Sequence, residues 1–159
     1  MYTSYICVKT IEEATEFLNI NQKNSAIIAG GTDLMIQLRN DLINCEYIID
    51  ITKINQLKGI NCDGANVSIG STVTFAEIME SSLLEKESDL LINACRQIGA
   101  VQIRNMGTIG GNICTASGAA DLIPCLIALD AQIVLVNIEG ERKISINDFI
   151  VDNRRTTIK

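Results

Sequence analysis

Apolar runs and helical patterns alternate along the first fifty-odd residues. Residues 4–8 predict a strand, after which Thr10 is placed to cap a helix over 11–20. In that helix Ile11, Ala14, Phe17 and Leu18 share one face, and Glu12 and Glu13 fall in the first turn. SAIIAG predicts a second strand, and a pair of glycines follows at once. In DLMIQLRND, Leu34, Leu38 and Leu42 recur at helical spacing, and EYIIDI predicts a third, buried strand. The order β–α–β–loop–α–β implies a small lobe over residues 1–56 with a mostly parallel sheet.

The rhythm then changes. LKGINCDGANVSIGS predicts two short strands around Asp63-Gly64-Ala65-Asn66, a hairpin signal. TFAEIMESS starts a helix at Thr74, and DLLINACRQIG predicts an amphipathic helix capped from Ser88 or Asp89. DLIPCLIALD predicts another helix, with Pro124 near its first turn, where proline costs least. AQIVLVNIEGERKISI alternates around a turn at Glu139-Gly140, and DNRRTTIK is polar and basic with no closing element. Residues 57–159 therefore predict a second, α+β lobe with antiparallel strands.

Composition narrows the chemistry. The chain has 159 residues, 47% hydrophobic and 20% charged, enough to bury a real core. Its formal net charge of −6 argues against nucleic acid or an anionic membrane surface as a general partner. No apolar run approaches the roughly 18 residues of a spanning helix, and MYTSYICVKT lacks the features of a signal peptide. A cytoplasmic protein is expected. The six cysteines never approach CxxC spacing, and histidine is absent. Reduced core thiols are expected, with no metal site on this chain, and Ser–His or Cys–His catalysis is excluded.

Two glycine-rich stretches remain. Ala29-Gly30-Gly31-Thr32-Asp33 follows a strand and opens a helix, so its amides can face an anion and its glycines admit a close approach. Asp33 suits a helix cap or a ligand hydroxyl better than a phosphate. A tight turn with an ordinary cap is the competing reading. The lysine of a P-loop and the third glycine of a dinucleotide fingerprint are both missing. The second stretch, Thr108-Ile109-Gly110-Gly111-Asn112, offers consecutive amides in the manner of an anion nest. Thr115 and Ser117 add hydroxyls, and Asp121 an acceptor for a polyol. Two such stretches in one short chain suggest a ligand with two linked phosphates and a hydroxylated arm, a dinucleotide cofactor.

IIAGGTDL together with QIRNMGTIGGNICTASGAADLIP, about eighty residues apart, closely resembles the FAD-binding subunit of the molybdenum hydroxylases. That family includes xanthine, carbon monoxide and nicotinate dehydrogenases, and the resemblance runs along essentially the whole chain. It implies the two-lobed FAD-binding fold of the vanillyl-alcohol oxidase type, with FAD held between the lobes. Ile28, Ala29, Gly30, Gly31, Thr32, Asp33 and Leu34 would wrap the pyrophosphate and its neighbouring atoms. Thr108, Ile109, Gly110, Gly111 and Asn112 would close on the other side. Thr115 and Asp121 match positions that approach ribityl or ribose hydroxyls, and Ile98 matches one that packs on the cofactor.

The resemblance further implies molybdopterin on a large partner subunit and [2Fe–2S] clusters on a small one. FAD would be the last station before NAD+ or another acceptor, and no catalytic acid or base is expected from this chain. A purine of the xanthine type is the substrate it suggests for the complex. Relatives often read TASPAAD where this chain has Gly118, which should loosen the loop. They also continue for over a hundred residues into a C-terminal domain, so this sequence reads as an N-terminal FAD-binding portion. Two readings compete: a stand-alone oxidase of the same fold, and a cofactor-free assembly module of the complex.

Overall fold

The protein is described by a computed structural model covering residues 4–87, 89–118 and 120–158. The chain opens with β1 (Ser4–Cys7), α1 (Ile11–Asn21), β2 (Ser25–Ile28), α2 (Leu34–Arg39) and β3 (Tyr47–Asp50). These strands form a parallel sheet in the order β1-β3-β2. β3 is central because its YIID run is the most buried, with Ile48 and Ile49 at 1% and 0% exposure. A strand covered on both faces must be apolar at successive positions. Burying each of those isoleucines contributes roughly 1.5–3 kcal/mol. Thr10 caps α1 as predicted, its hydroxyl oxygen accepting from the Glu13 amide at 3.1 Å.

β4 (Ile60–Cys62) and β5 (Val67–Ile69) form the expected antiparallel hairpin. The Asp63 carboxylate accepts from the Ala65 and Asn66 amides across its turn. α3 (Phe75–Met79) starts in a full capping box between Thr74 and Glu77. Next come α4 (Ser82–Glu87), α5 (Asp89–Gln97), α6 (Val101–Met106), α7 (Ile109–Thr115) and α8 (Leu122–Ala128). β6 (Gln132–Asn137) pairs antiparallel with β7 (Gly140–Ser145), and the register places Ile138-Glu139 in the turn. The chain closes with α9 (Ile146–Phe149), β8 (Ile150–Asp152) and β9 (Arg155–Thr156). The mixed helix-and-strand architecture agrees with the α+β expectation.

Three apolar clusters form the core. Two lie within residues 6–57, one around Val8, Ala14, Ile49 and Ile54 and one around Ile28, Cys45 and Ile48. The third runs from Val73 to Phe149 and gathers α3, α5, α7, α8 and α9. Cys95 is fully buried there beside Cys125, and burial with that neighbouring thiol pushes its pKa up to about 12. All six cysteines are free.

The sequence pattern misses in four places. α2 stops at Arg39 instead of running to Leu42, because Asn40 caps it and Asp41 turns to φ 53°. Leu42 is consequently 70% exposed. The glycine-rich stretch after Thr108 is the helix α7, although glycine disfavours a helix by about 1 kcal/mol per residue. The basic end is not open: β8 and β9 pair as a hairpin. The short helices α4, α6 and α9 lack a recognisable period. Of the two caps considered for α5, Ser88 lies outside the described residues. Among the described residues no helix is long and apolar enough to cross a membrane.

Candidate functional site

The first glycine segment leaves β2 at the C-terminal edge of the parallel sheet, the edge where ligands of such sheets collect. Among the described residues, the amides of Gly30, Gly31, Thr32, Asp33 and Leu34 donate to no acceptor. Gly31 takes φ 71°, which turns the chain sharply after the strand. Ile28, at 9% exposure, and Leu34 point the other way, into the cluster with Cys45 and Ile48. They support the loop from beneath. The six-residue α2 carries too few aligned peptides for a strong macrodipole, so donors here are the loop amides themselves.

Asp33 corrects the expectation of a cap: its side chain makes no capping bond to α2. Its Oδ2 instead accepts from Gln37 Nε2 and, at 3.5 Å, from the Thr115 hydroxyl. The Arg154 guanidinium lies 3.5 Å from the same oxygen. One carboxylate oxygen therefore gathers groups from three separate segments.

The second glycine segment is built differently. Thr108 caps α7, its hydroxyl oxygen accepting from the Gly111 amide at 3.2 Å. The Ile109 amide donates to the Val73 carbonyl at 2.9 Å, Gly110 to Ser71 at 3.0 Å, and Asn112 to Thr108 at 3.0 Å. The expected nest of consecutive amides is therefore not formed, because these donors serve the protein's own backbone. What remains without a partner is the Thr108 amide, among the described residues, and the Asn112 Oδ1. That oxygen is buried, and an orphaned buried acceptor is costly unless something donates to it.

Two glycines serve close packing of protein on protein. A Cβ on Gly30 would meet the Met106 carbonyl oxygen at 1.8 Å, and one on Gly110 the Ser71 carbonyl oxygen at 2.6 Å. Only hydrogen fits at either place. Gly30 thereby brings the first segment against the end of α6, immediately before Thr108. The segments meet at a cavity of about 240 Å³ whose walls include Ala29, Gly30, Thr72, Thr74, Thr108 and Lys58. An antiparallel bridge between Thr74 and Thr108 holds its far side.

The remaining predicted residues divide. Thr115 joins the site through Asp33. Asp121 is exposed at the start of α8 and makes no side-chain capping bond, which leaves its oxygens available. Ile98 and Ile109 are buried in the large core at 8% and 5% exposure. The Ile98 carbonyl is held by the Arg104 guanidinium at 2.9 Å. The Gly118 N–H donates to Asn153 Oδ1 at 2.8 Å, a bond proline cannot make. Sequence reasoning missed Lys58, Asn153 and Arg154. The last two sit in a polar tail with no motif, and only the hairpin of β8 and β9 brings them here.

The groups in place fit a dinucleotide with a polyol arm. Five free loop amides suit phosphate oxygens, and the orphaned Asn112 Oδ1 suits a donating hydroxyl.

The comparisons with known proteins agree. The family model described as "FAD binding domain in molybdopterin dehydrogenase" matches residues 1–159. The nicotinate dehydrogenase FAD-subunit of Eubacterium barkeri is 37% identical over 146 residues, 91% of this chain and 49% of its own length. The xanthine dehydrogenase FAD-binding subunit of Escherichia coli O157:H7 is 33% identical over 149 residues, covering 93% of this chain and 51% of that protein. A solved carbon monoxide dehydrogenase from Hydrogenophaga pseudoflava superposes with a TM-score of 0.97 at 28% identity. It covers 100% of this chain, which accounts for 55% of that one. The chain thus spans about half the length of the relatives it matches. With the whole sequence matched and both glycine segments brought to one cavity, the chain belongs to the FAD-binding domain family of the molybdopterin dehydrogenases.

Proposed function

We propose that this chain forms the diphosphate-holding part of the flavin subunit of a molybdenum hydroxylase. In that assembly a large subunit carries molybdopterin, a small subunit carries [2Fe–2S] clusters, and electrons leave through FAD to NAD+ or another acceptor. Relatives named for nicotinate, glyceraldehyde and xanthine all match over this same region. A segment shared across such different substrates serves the step they have in common, and that observation carries the reading. The substrate-selecting groups belong elsewhere in the complex.

Bound FAD supplies reversible two-electron chemistry; the protein contributes binding and orientation. In our reading the amides of Gly30 to Leu34 hold the diphosphate. Asn112 Oδ1, Thr115 and Asp121 orient the hydroxylated arm, and the exposed Gly111 leaves the first turn of α7 without a side chain there. Ile28, Leu34, Ile98 and Ile109 act from behind by fixing the backbone. The division into lobes at about residue 56 is part of the same proposal, supported by core clusters that do not cross it, although Leu57 packs with the first.

FAD titration of the purified chain, read by flavin absorbance and by melting temperature, tests this reading. A ligand present at about one hundred times its Kd raises stability by about 2.7 kcal/mol. Colourless protein that takes up no FAD and gains no stability from it would leave the cofactor-free assembly module standing. Gly111→Glu places a carboxylate beside Thr108; a Cβ there meets only Thr108 Oγ1, at 3.0 Å, a tight contact that a side-chain hydroxyl can relieve by a shift of a few tenths of an ångström. It should weaken FAD by more than about ten-fold while the protein stays folded. Unchanged affinity would remove the second segment from the site.

A further inference from the structure

The turn between β8 and β9 does more than reverse the chain. Arg154 sits there at φ 56°, a left-handed conformation that a non-glycine residue adopts at a cost. Its backbone N–H donates to the Ala116 carbonyl at 2.7 Å, and Ala116, the C-cap of α7, is itself left-handed at φ 45°. Beside it, Asn153 Oδ1 accepts from the Gly118 N–H. The guanidinium then reaches across to Asp33. A glycine would relieve the backbone at 154 but could keep neither the charge nor the reach. The strained position is held by a residue whose side chain has a partner in the other glycine segment.

We propose that Arg154 is a positioning residue for the FAD site. It buckles the segment after α7 to the first glycine segment and offsets the Asp33 carboxylate that stands among the free amides of that loop. This rests on the proposed flavin role and extends it to a part of the chain with no glycine motif. The physical need is plain. A diphosphate held by the Gly30–Leu34 amides lies near the Asp33 charge, and two like charges a few ångströms apart repel. Arg154 faces that carboxylate from one side while Gln37 and Thr115 donate to it from the protein. With its charge offset and its rotamer fixed, Asp33 can stay in the loop without expelling an anion. As a surface ion pair it adds little to stability. Its effect should appear in cofactor affinity instead.

The test is a cycle of variants on the full chain: Arg154→Gln, Arg154→Lys, Asp33→Asn and the double Arg154→Gln/Asp33→Asn. FAD affinity is read by fluorescence titration. Arg154→Gln should weaken FAD by roughly ten-fold, the scale of one charge-assisted contact. Arg154→Lys should restore most of the loss. In the Asp33→Asn background the same change should cost less than about two-fold, because no carboxylate remains to offset. An equal loss in both backgrounds, or no loss at all, would overturn the proposal. A second reading needs no cofactor. Exchange of the bonded amides of Met35, Ile36 and Gln37, which donate to the Gly31 and Asp33 carbonyls, and of Ala116 and Gly118 should quicken several-fold in Arg154→Gln, and unchanged exchange there also overturns it. If the unaltered chain binds no FAD while Arg154→Gln still loosens both segments, the flavin reading fails and the buckle stands.

Discussion

The two glycine segments look alike on paper and are opposites in structure. The first leaves a strand and keeps five consecutive amides free; the second is a capped helix whose amides are nearly all in use. Glycine does two kinds of work across them. Gly31 supplies a left-handed turn, whereas Gly30 and Gly110 are places where another backbone comes too close for a Cβ. An anion site therefore needs only one open loop. Its neighbour can be closed and still contribute, through an orphaned carboxamide oxygen.

The largest effect should come from forcing the segments apart. Gly30→Ala sets a methyl 1.8 Å from the Met106 carbonyl oxygen, where no side chain can yield. A loss of about 3 kcal/mol is expected, seen as a melting temperature lower by about 10 °C. If calorimetry shows a change of a degree or less, the close approach is not what this glycine is for. Thr108→Ala attacks the closed segment by its cap and should cost about 1 kcal/mol. Thr108→Ser should keep the cap, so equal losses in the two variants would show that the hydroxyl is not the reason.

A third test lies at the base of the same sheet edge. Asp50 is buried, which alone would raise its pKa, but hydrogen bonds from the Tyr5 hydroxyl and from Thr52, with the nearby Lys53 charge, hold it below the usual value. A carboxylate with a lowered folded pKa stabilises above its unfolded value, about 3.9, and loses that contribution as pH falls through the folded one. Tyr5→Phe should therefore lower the melting temperature most at neutral pH, with melting at pH 3 much less affected. Equal sensitivity at both pH values would contradict the assignment.

The smallest effect concerns Gly118. Proline there gains roughly 0.4–1 kcal/mol by restricting the unfolded chain and loses a hydrogen bond to Asn153 worth about 0.5–1.5 kcal/mol. Gly118→Pro should leave the melting temperature within about 2 °C of the parent. A clear rise would mean that the Asn153 bond contributes nothing and the buckle is weaker than its geometry implies.

Much of the first half of the chain was legible because each element carries its own signal. Thr10 with Glu13 marks a helix start, and YIID reads as a strand covered on both faces. The hairpin at Asp63–Asn66 and the box from Thr74 to Glu77 are equally local. α7 was illegible for the opposite reason. Its glycines contradict helix propensity, and the helix stands because Thr108 caps it and Ser71 packs where Gly110 has no side chain. Leu42 has the right spacing for α2, yet Asn40 and Asp41 end the helix before it.

The candidate site divides in the same way. Its glycine segments, Thr115 and Asp121 stand in a pattern that the chain carries by itself, and that pattern was enough to indicate a dinucleotide and a family. Which amides are free, which oxygen is orphaned and which cation faces Asp33 depend on contacts between residues dozens of positions apart. Arg154 is 121 residues from Asp33 along the chain and 3.5 Å from it in space. Sequence fixes donors and their spacing; only packing decides which of them the protein has already used.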